Sequence, residues 1–264
     1  MAPIRPVALV TGASAGLGVA YARRLAAQGY DLILVARRLD RLQTVAGELI
    51  ARHGVQAHAL PADLTQDAGL RAVEQRIAQE QHLEFLLNDA GFGRSGRFHE
   101  VPIEPLDAMH RLHIMAILRL SHAALRVMTA RRKGALVNVS SVAAFVCRPG
   151  SISYYATKAW INFFTEGLYL DLKQARSPVR VQALCPGYTI TEFHKAMGLD
   201  QKRTPGGWWL PAEQVVDASL AGLERNKLFV VPGWRYKFVV SLVRLLPLPL
   251  LHAAGSVAES LIRK

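Results

Sequence analysis

Two cysteines in 264 residues exclude a disulfide-stapled domain. Cys147 and Cys185 form neither a C-x-x-C pair nor a zinc spacing, so structural zinc is excluded as well. Their scarcity points to a reduced, cytoplasmic protein in which Cys147 is a small packed thiol rather than a reactive one. Acidic residues are also few, 20 against 32 Lys and Arg, for a net charge of +12. Such a surplus suits nucleic acid, an anionic cofactor or a membrane surface. The basic residues are scattered, with no run interleaved with aromatics, which argues against a nucleic-acid groove. The opening Met-Ala-Pro-Ile-Arg-Pro runs straight into the apolar Val7-Ala-Leu-Val10, leaving no room for a secretory leader. Repeats, linkers and a second domain are missing too.

The 51% apolar content is enough to bury a full core, and it is distributed as one α/β domain. Val7–Thr11 reads as a buried strand, followed by the turn Gly12-Ala-Ser14-Ala-Gly16-Leu17-Gly18 and a helix to about Gln28. Glycines there let the backbone turn tightly and approach a phosphate at the helix N-terminus. The next strand, Asp31–Ala36, ends in Arg37-Arg38, where an acid would bind a ribose 2′-hydroxyl. Two guanidiniums at that point suit a 2′-phosphate instead, hence NADP(H). Further strands are expected at Val55–Leu60, Phe85–Asn88, Ala135–Ser140, Val179–Leu184 and Leu228–Pro232, with helices over Leu39–His53, about Ala68–Glu80 and Pro105–Arg131.

The chemistry centres on Ser141, Tyr154 and Lys158. Tyr154 and Lys158 are four residues apart, on one face of a helix, where the ammonium can lower the phenol pKa toward a range useful for proton transfer. Tyr169 and Lys173 repeat the spacing, but the residue thirteen before Tyr169 is Ala156, whereas Ser141 stands thirteen before Tyr154. The decoy also lies about 22 Å along the same helix at 1.5 Å per residue.

This Ser141, Tyr154, Lys158 set and the T-G-x-x-x-G-x-G spacing resemble the short-chain dehydrogenase/reductase family over residues 7 to about 233. The resemblance implies one doubly wound, Rossmann-type α/β domain with a central parallel sheet and helices on both faces. It implies hydride transfer between NADP(H) and a small carbonyl/alcohol substrate, with Ser141 polarising the carbonyl, Tyr154 as general acid/base and Lys158 also holding the nicotinamide ribose. A homo-oligomer is expected. The cofactor would lie along Gly12, Ser14, Gly16, Leu17 and Gly18, with Asp63 and Leu64 at the adenine. Asn88, Ala90 and Gly91, then Pro186, Gly187, Thr189 and Thr191, would complete its site. Two residues depart from the family. Asp89 stands where it has Asn-Asn-Ala-Gly, and His113 replaces the catalytic Asn, whose backbone carbonyl, in a distorted turn, holds a water beside the Lys. His113 still supplies that carbonyl and is counted with the catalytic residues. No third ligand joins His110 and His113, so no metal is expected.

Two other functions fit parts of the chain. A catalytically inactive NADP-binding sensor or scaffold draws support only from Asp89 and His113. A nucleotide-sugar epimerase shares Tyr-x-x-x-Lys but needs another glycine spacing and a larger C-terminal domain. Residues 192–210, ending Gly206-Gly207-Trp208-Trp209, have the composition of a substrate lid. In the extension 234–264, a helix would carry Lys237, Ser241 and Arg244 on a narrow polar stripe opposite Trp234, Phe238, Val239, Leu242, Leu245 and Leu246. It is too short to cross a bilayer and would cover the cleft, pack between subunits or make a peripheral membrane contact. The aromatic and apolar content of lid and extension suggests a lipophilic, steroid-like or acyl ketone substrate.

Overall fold

In the computed structural model, residues 4–193 and 207–247 are described. Strands β1 (Val7–Thr11), β2 (Asp31–Ala36), β3 (Ala57–Pro61), β4 (Leu83–Asn88), β5 (Ala135–Val139), β6 (Arg180–Leu184) and β7 (Phe229–Val230) form one sheet. Its order is β3-β2-β1-β4-β5-β6-β7 and every pairing is parallel. The central strands are buried almost throughout, because helices cover both faces and no strand position needs to be polar. Helices α1 (Gly16–Ala27), α2 (Leu39–His53) and α7 (Ala212–Glu224) bury one apolar cluster. Helices α3 (Asp67–Gln79), α5 (Ile117–Arg131) and α6 (Ile152–Gln174) bury the other. The order reverses between β1 and β4, so the loops that follow them run to opposite faces and leave a crevice, the usual ligand position in such sheets.

Two elements and one side chain depart most from the sequence expectation. The helix expected over Pro105–Arg131 begins as α4 (Ile103–His110) and reaches α5 through a π-helical stretch, Arg111–Ala116. The wider turn delivers His113 to the buried side, where its ring finds polar partners. The last strand, expected over Leu228–Pro232, is only Phe229–Val230, since a proline has no N–H to continue the ladder. Cys147, expected to be packed, is exposed.

The extension forms α8 (Trp234–Leu245), but inverted relative to its expected packing. Tyr236 and Val240 are its buried residues, while Trp234 (74% exposed), Phe238 (65%), Leu242 (47%) and Leu245 (82%) face outward. Arg244, assigned to the polar stripe, lays its guanidinium over Phe145 and Phe229 at 4.7 and 5.2 Å. No helix among the described residues is long and apolar enough to cross a membrane.

Candidate active site

A cavity of about 410 Å³ lies along the C-terminal ends of β1, β2, β4, β5 and β6. Its walls include Gly12, Ser14, Gly16, Leu17, Arg37, Arg38, Asp63, Leu64, Ala90, Gly91, Pro186, Gly187, Thr189 and Thr191, together with Ser141, Tyr154 and Lys158. The structure thus gathers most of the sequence candidates in one space, basic pair at one end and hydroxyls at the other.

Two cofactor candidates stand behind the wall instead. A Cβ on Gly18 would lie 2.3 Å from the Gly12 carbonyl oxygen, so this glycine serves the contact of α1 with the turn. Asn88 is turned into the core, where its Nδ2 donates to Asn138 Oδ1 at 2.9 Å and to Ser121 Oγ at 3.2 Å. Asn138 in turn donates to Thr165 on α6 at 2.9 Å. This buried chain ties β4, β5 and the Tyr154 helix together. The turn after β4 is set by Thr11, whose hydroxyl accepts from the Asp89 and Ala90 N–H groups at 3.0 and 3.1 Å.

Ser141 caps the short 3₁₀ turn Val142–Phe145, its oxygen accepting from the Ala143 N–H at 3.1 Å. Its hydroxyl donates to the Pro186 carbonyl at 3.4 Å, and it stands beside the Tyr154 phenol, whose pKa it lowers. Lys158 is buried, with Nζ 2.8 Å from the Val139 carbonyl and 5.6 Å from the Tyr154 ring centroid. The expected lowering of the phenol pKa is not what the structure has. Burial pushes Tyr154 up to about 12, the Ser141 hydrogen bond pulling the other way. The ammonium is instead anchored on Val139, and burial brings Lys158 down to about 8 against the opposing charge of Asp89. The decoy pair lies near the far end of α6, outside the cavity; Tyr169 packs at the edge of the core and Lys173 is exposed.

The two family departures are both accommodated. His113 is fully buried; its Nε2 accepts from the Phe92 N–H at 3.3 Å, and its Nδ1 lies 3.0 Å from Thr157 Oγ1. Thr157 donates to the Tyr154 carbonyl at 2.9 Å, so Nδ1 carries the ring proton and the imidazole is neutral. Burial holds its pKa well below the usual value, with the charge of Lys158 adding to the effect. Asp89 has a carboxyl raised to about 7 by burial, against the lowering effects of Lys158 and the Gly18 N–H. The partners missing from the sequence reading are therefore that N–H as a donor and the nearby ammonium as an opposing charge.

Sequence reasoning overlooked four further residues. Arg41, in the first turn of α2, bonds both carboxylate oxygens of Glu192 through Nη1 at 2.8 and 2.9 Å. Its position three residues after Arg38 was a usable signal. Phe193 sets its ring 6.2 Å from that of Tyr154. Tyr236 on α8 accepts from the Tyr188 N–H at 2.8 Å and donates to the Trp208 carbonyl at 2.7 Å. Its ring covers Gly187 so closely that a Cβ there would lie 2.0 Å from it. No sequence spacing reports a contact 49 residues apart. The lid expected over 192–210 has residues 194–206 outside the described part. Its far end returns to the site, Leu210 donating to the Tyr188 carbonyl and accepting from Ile190, each at 3.0 Å.

Fold and site define a doubly wound α/β protein of the dinucleotide-binding type, with Ser141, Tyr154 and Lys158 gathered in one cavity. Residues 6–202 match the family model of short chain dehydrogenase. Gluconate 5-dehydrogenase of Gluconobacter oxydans is 32% identical, over 84% of this chain and 89% of that protein. A short-chain dehydrogenase from Sphingobium yanoikuyae, solved in complex with NADPH, is 35% identical with a TM-score of 0.81, covering 98% of this chain and 96% of that one. The bulky-bulky ketone specific alcohol dehydrogenase from Comamonas testosteroni is 30% identical with a TM-score of 0.77, over 98% and 94% of the two chains. The chain belongs to the short-chain dehydrogenase/reductase family and is an oxidoreductase of that family.

Proposed function

We propose that the protein reduces a lipophilic ketone with NADPH. The observation that carries this reading is a single cavity with Ser141, Tyr154 and Lys158 on one wall and Arg37 and Arg38 at the other end. The residues suit the dinucleotide phosphate by their own chemistry. An acidic side chain, Glu192, already sits against the guanidiniums of Arg38 and Arg41 as a carboxylate stand-in for an anion. Arg37, Arg38 and Ser14 would hold the 2′-phosphate, Asp63 and Leu64 the adenine, and Thr189, Thr191 and Lys158 the nicotinamide half. When bound, the nicotinamide supplies the hydride.

The chain's own residues handle the proton. A phenol with a pKa near 12 stays protonated at neutral pH, the form that can give its proton to a developing alkoxide. Ser141, beside that phenol on the cavity wall, is placed to polarise the carbonyl. Lys158 keeps a positive charge beside the phenol ring and offsets the negative charge left there after transfer. The π turn brings the His113 ring to the catalytic helix, which it pins through Thr157. This favours reduction as the working direction.

A lipophilic substrate is supported by Phe92, Phe193 and Leu112 around the catalytic wall and by similarity to the Comamonas enzyme. The exposed apolar stripe of α8 and the net charge of +12 favour a peripheral contact with an anionic membrane surface in an otherwise cytoplasmic protein. A homo-oligomer follows the family resemblance. The experiment that tests the reaction is NADPH consumption against a panel of ketones, aldehydes and acyl thioesters; bulky ketones should turn over fastest. No consumption with any carbonyl, in a protein that binds NADPH, would favour a sensor or scaffold instead.

A further inference from the structure

We propose that Glu192 sets the nucleotide preference of the site by competing with the 2′-phosphate for Arg38 and Arg41. The inference rests on the reading of Arg38 as a 2′-phosphate ligand and adds Arg41 to that cradle. Three segments meet here: the glycine turn through Ser14, the start of α2 through Arg38 and Arg41, and the segment after β6 through Glu192. Arg38 Nη2 donates to Ser14 Oγ at 3.2 Å and lies 3.6 Å from Glu192 Oε2. Arg41 Nη1 bonds both oxygens of the same carboxylate. Ser14, Arg38 and Glu192 all line the cavity.

A phosphate dianion seated on Ser14 and the arginines would need the donors that Glu192 now holds. It would also meet a carboxylate of its own sign. A 2′-hydroxyl carries no charge and makes no such demand, so the competition falls on the phosphorylated nucleotide alone. Both guanidiniums and the carboxylate are about half exposed, so each ion pair is weak and the phosphate can displace it. Glu192 stays charged across the working range, because the Arg41 hydrogen bond holds its carboxyl below the usual value. The result is a fixed tax on NADPH affinity, equal to the fraction of time the arginines are free. Thr191, the preceding residue, lines the cavity too, so release of Glu192 happens beside the nucleotide rather than at a remote surface.

Dissociation constants for NADPH and NADH, measured by fluorescence titration of the full chain, test the inference. Glu192→Gln should tighten NADPH by about fivefold, equivalent to about 1 kcal/mol, and leave NADH within about twofold. Arg41→Ala should weaken NADPH by about tenfold with little effect on NADH. In that background the Glu192→Gln gain should shrink below about twofold, because its main partner is gone. An unchanged NADPH to NADH ratio in Glu192→Gln, or an equal gain for both nucleotides, would overturn the role of Glu192. The Arg37→Ala, Arg38→Ala double variant separates the two readings. A selective NADPH loss there with no Glu192→Gln effect keeps the phosphate site and removes the competitor. Equal losses of both nucleotides remove the phosphate site and this inference with it.

Discussion

Replacing His113 with Asn should destabilise the protein while leaving most of its turnover. The buried ring bridges the Phe92 N–H at 3.3 Å and Thr157 Oγ1 at 3.0 Å. A carboxamide is shorter and reaches one of them at most, and an interior group left unpaired costs about 1–3 kcal/mol. The backbone carbonyl of residue 113 survives the change, so kcat should stay within about threefold, or about 0.7 kcal/mol of barrier. Titration supplies a second signature. Because burial holds the imidazole well below its usual pKa of 6.5, the folded protein binds fewer protons than the unfolded chain below that pH. Its contribution to stability is therefore complete above pH 6.5 and declines as the solution is acidified. Asp89 works in the opposite sense. With a folded pKa of about 7 against the usual 3.8, it contributes most at the acid end and loses that contribution as pH rises toward 7. Each slope is at most about 1.4 kcal/mol per pH unit, and between about pH 4 and 6.5 the two offset each other. Urea denaturation across that range, with helicity checked by circular dichroism, should show His113→Asn losing stability as pH rises. Asp89→Asn should gain it. Wild-type stability and an unchanged pH slope in His113→Asn would refute the bridging role. A hundredfold loss of kcat in a folded variant would mean that the imidazole itself acts in the reaction.

Tyr154→Phe should reduce turnover by at least tenfold while NADPH affinity stays within a few-fold, since general acid catalysis contributes about 10²–10⁴-fold; Tyr169→Phe should leave kcat unaltered. Arg37→Ala with Arg38→Ala should cost NADPH about 1.5–3 kcal/mol of binding per charged hydrogen bond and NADH far less, as read by titration of both. Tyr236→Phe keeps the ring over Gly187 but strands the Tyr188 N–H and the Trp208 carbonyl, so denaturation should report a loss of about 1–3 kcal/mol; no change would show that α8 does not hold the loop. Phe238→Ser with Leu242→Ser should abolish a salt-sensitive co-flotation with anionic vesicles without changing NADPH affinity, and a wild-type protein that never floats, even at low salt, removes the membrane contact. Truncation after Gly233 is the poorer variant for that purpose, because it also deletes Tyr236.

Much of the site was legible because its signals are local. The glycine turn, Arg37-Arg38 at the end of β2, and a tyrosine four residues before a lysine all act through near neighbours, where backbone geometry turns spacing into position. Strand and helix periods likewise report burial on the two faces of a parallel sheet, which is why the doubly wound domain could be read directly. The ends of elements were less legible, as at β7, where pairing depends on a neighbouring strand rather than on propensity.

Tertiary structure alone decided whatever depends on distant groups meeting. The pKa of Tyr154 could not be inferred from Lys158 four residues away, because burial outweighs a charge that is anchored on Val139. His113 became a buried bridge only because a π turn and the loop after β4 converge on it. Glu192 reaches Arg41 across 151 residues of chain, and Tyr236 reaches Tyr188 across 48. The outward face of α8 was decided in the same way: amphipathic spacing defines a stripe, but only the packing of Tyr236 and Val240 fixes which side meets the protein. Local sequence sets backbone and periodicity; long-range contacts and desolvation, which no spacing encodes, set orientation and charge state.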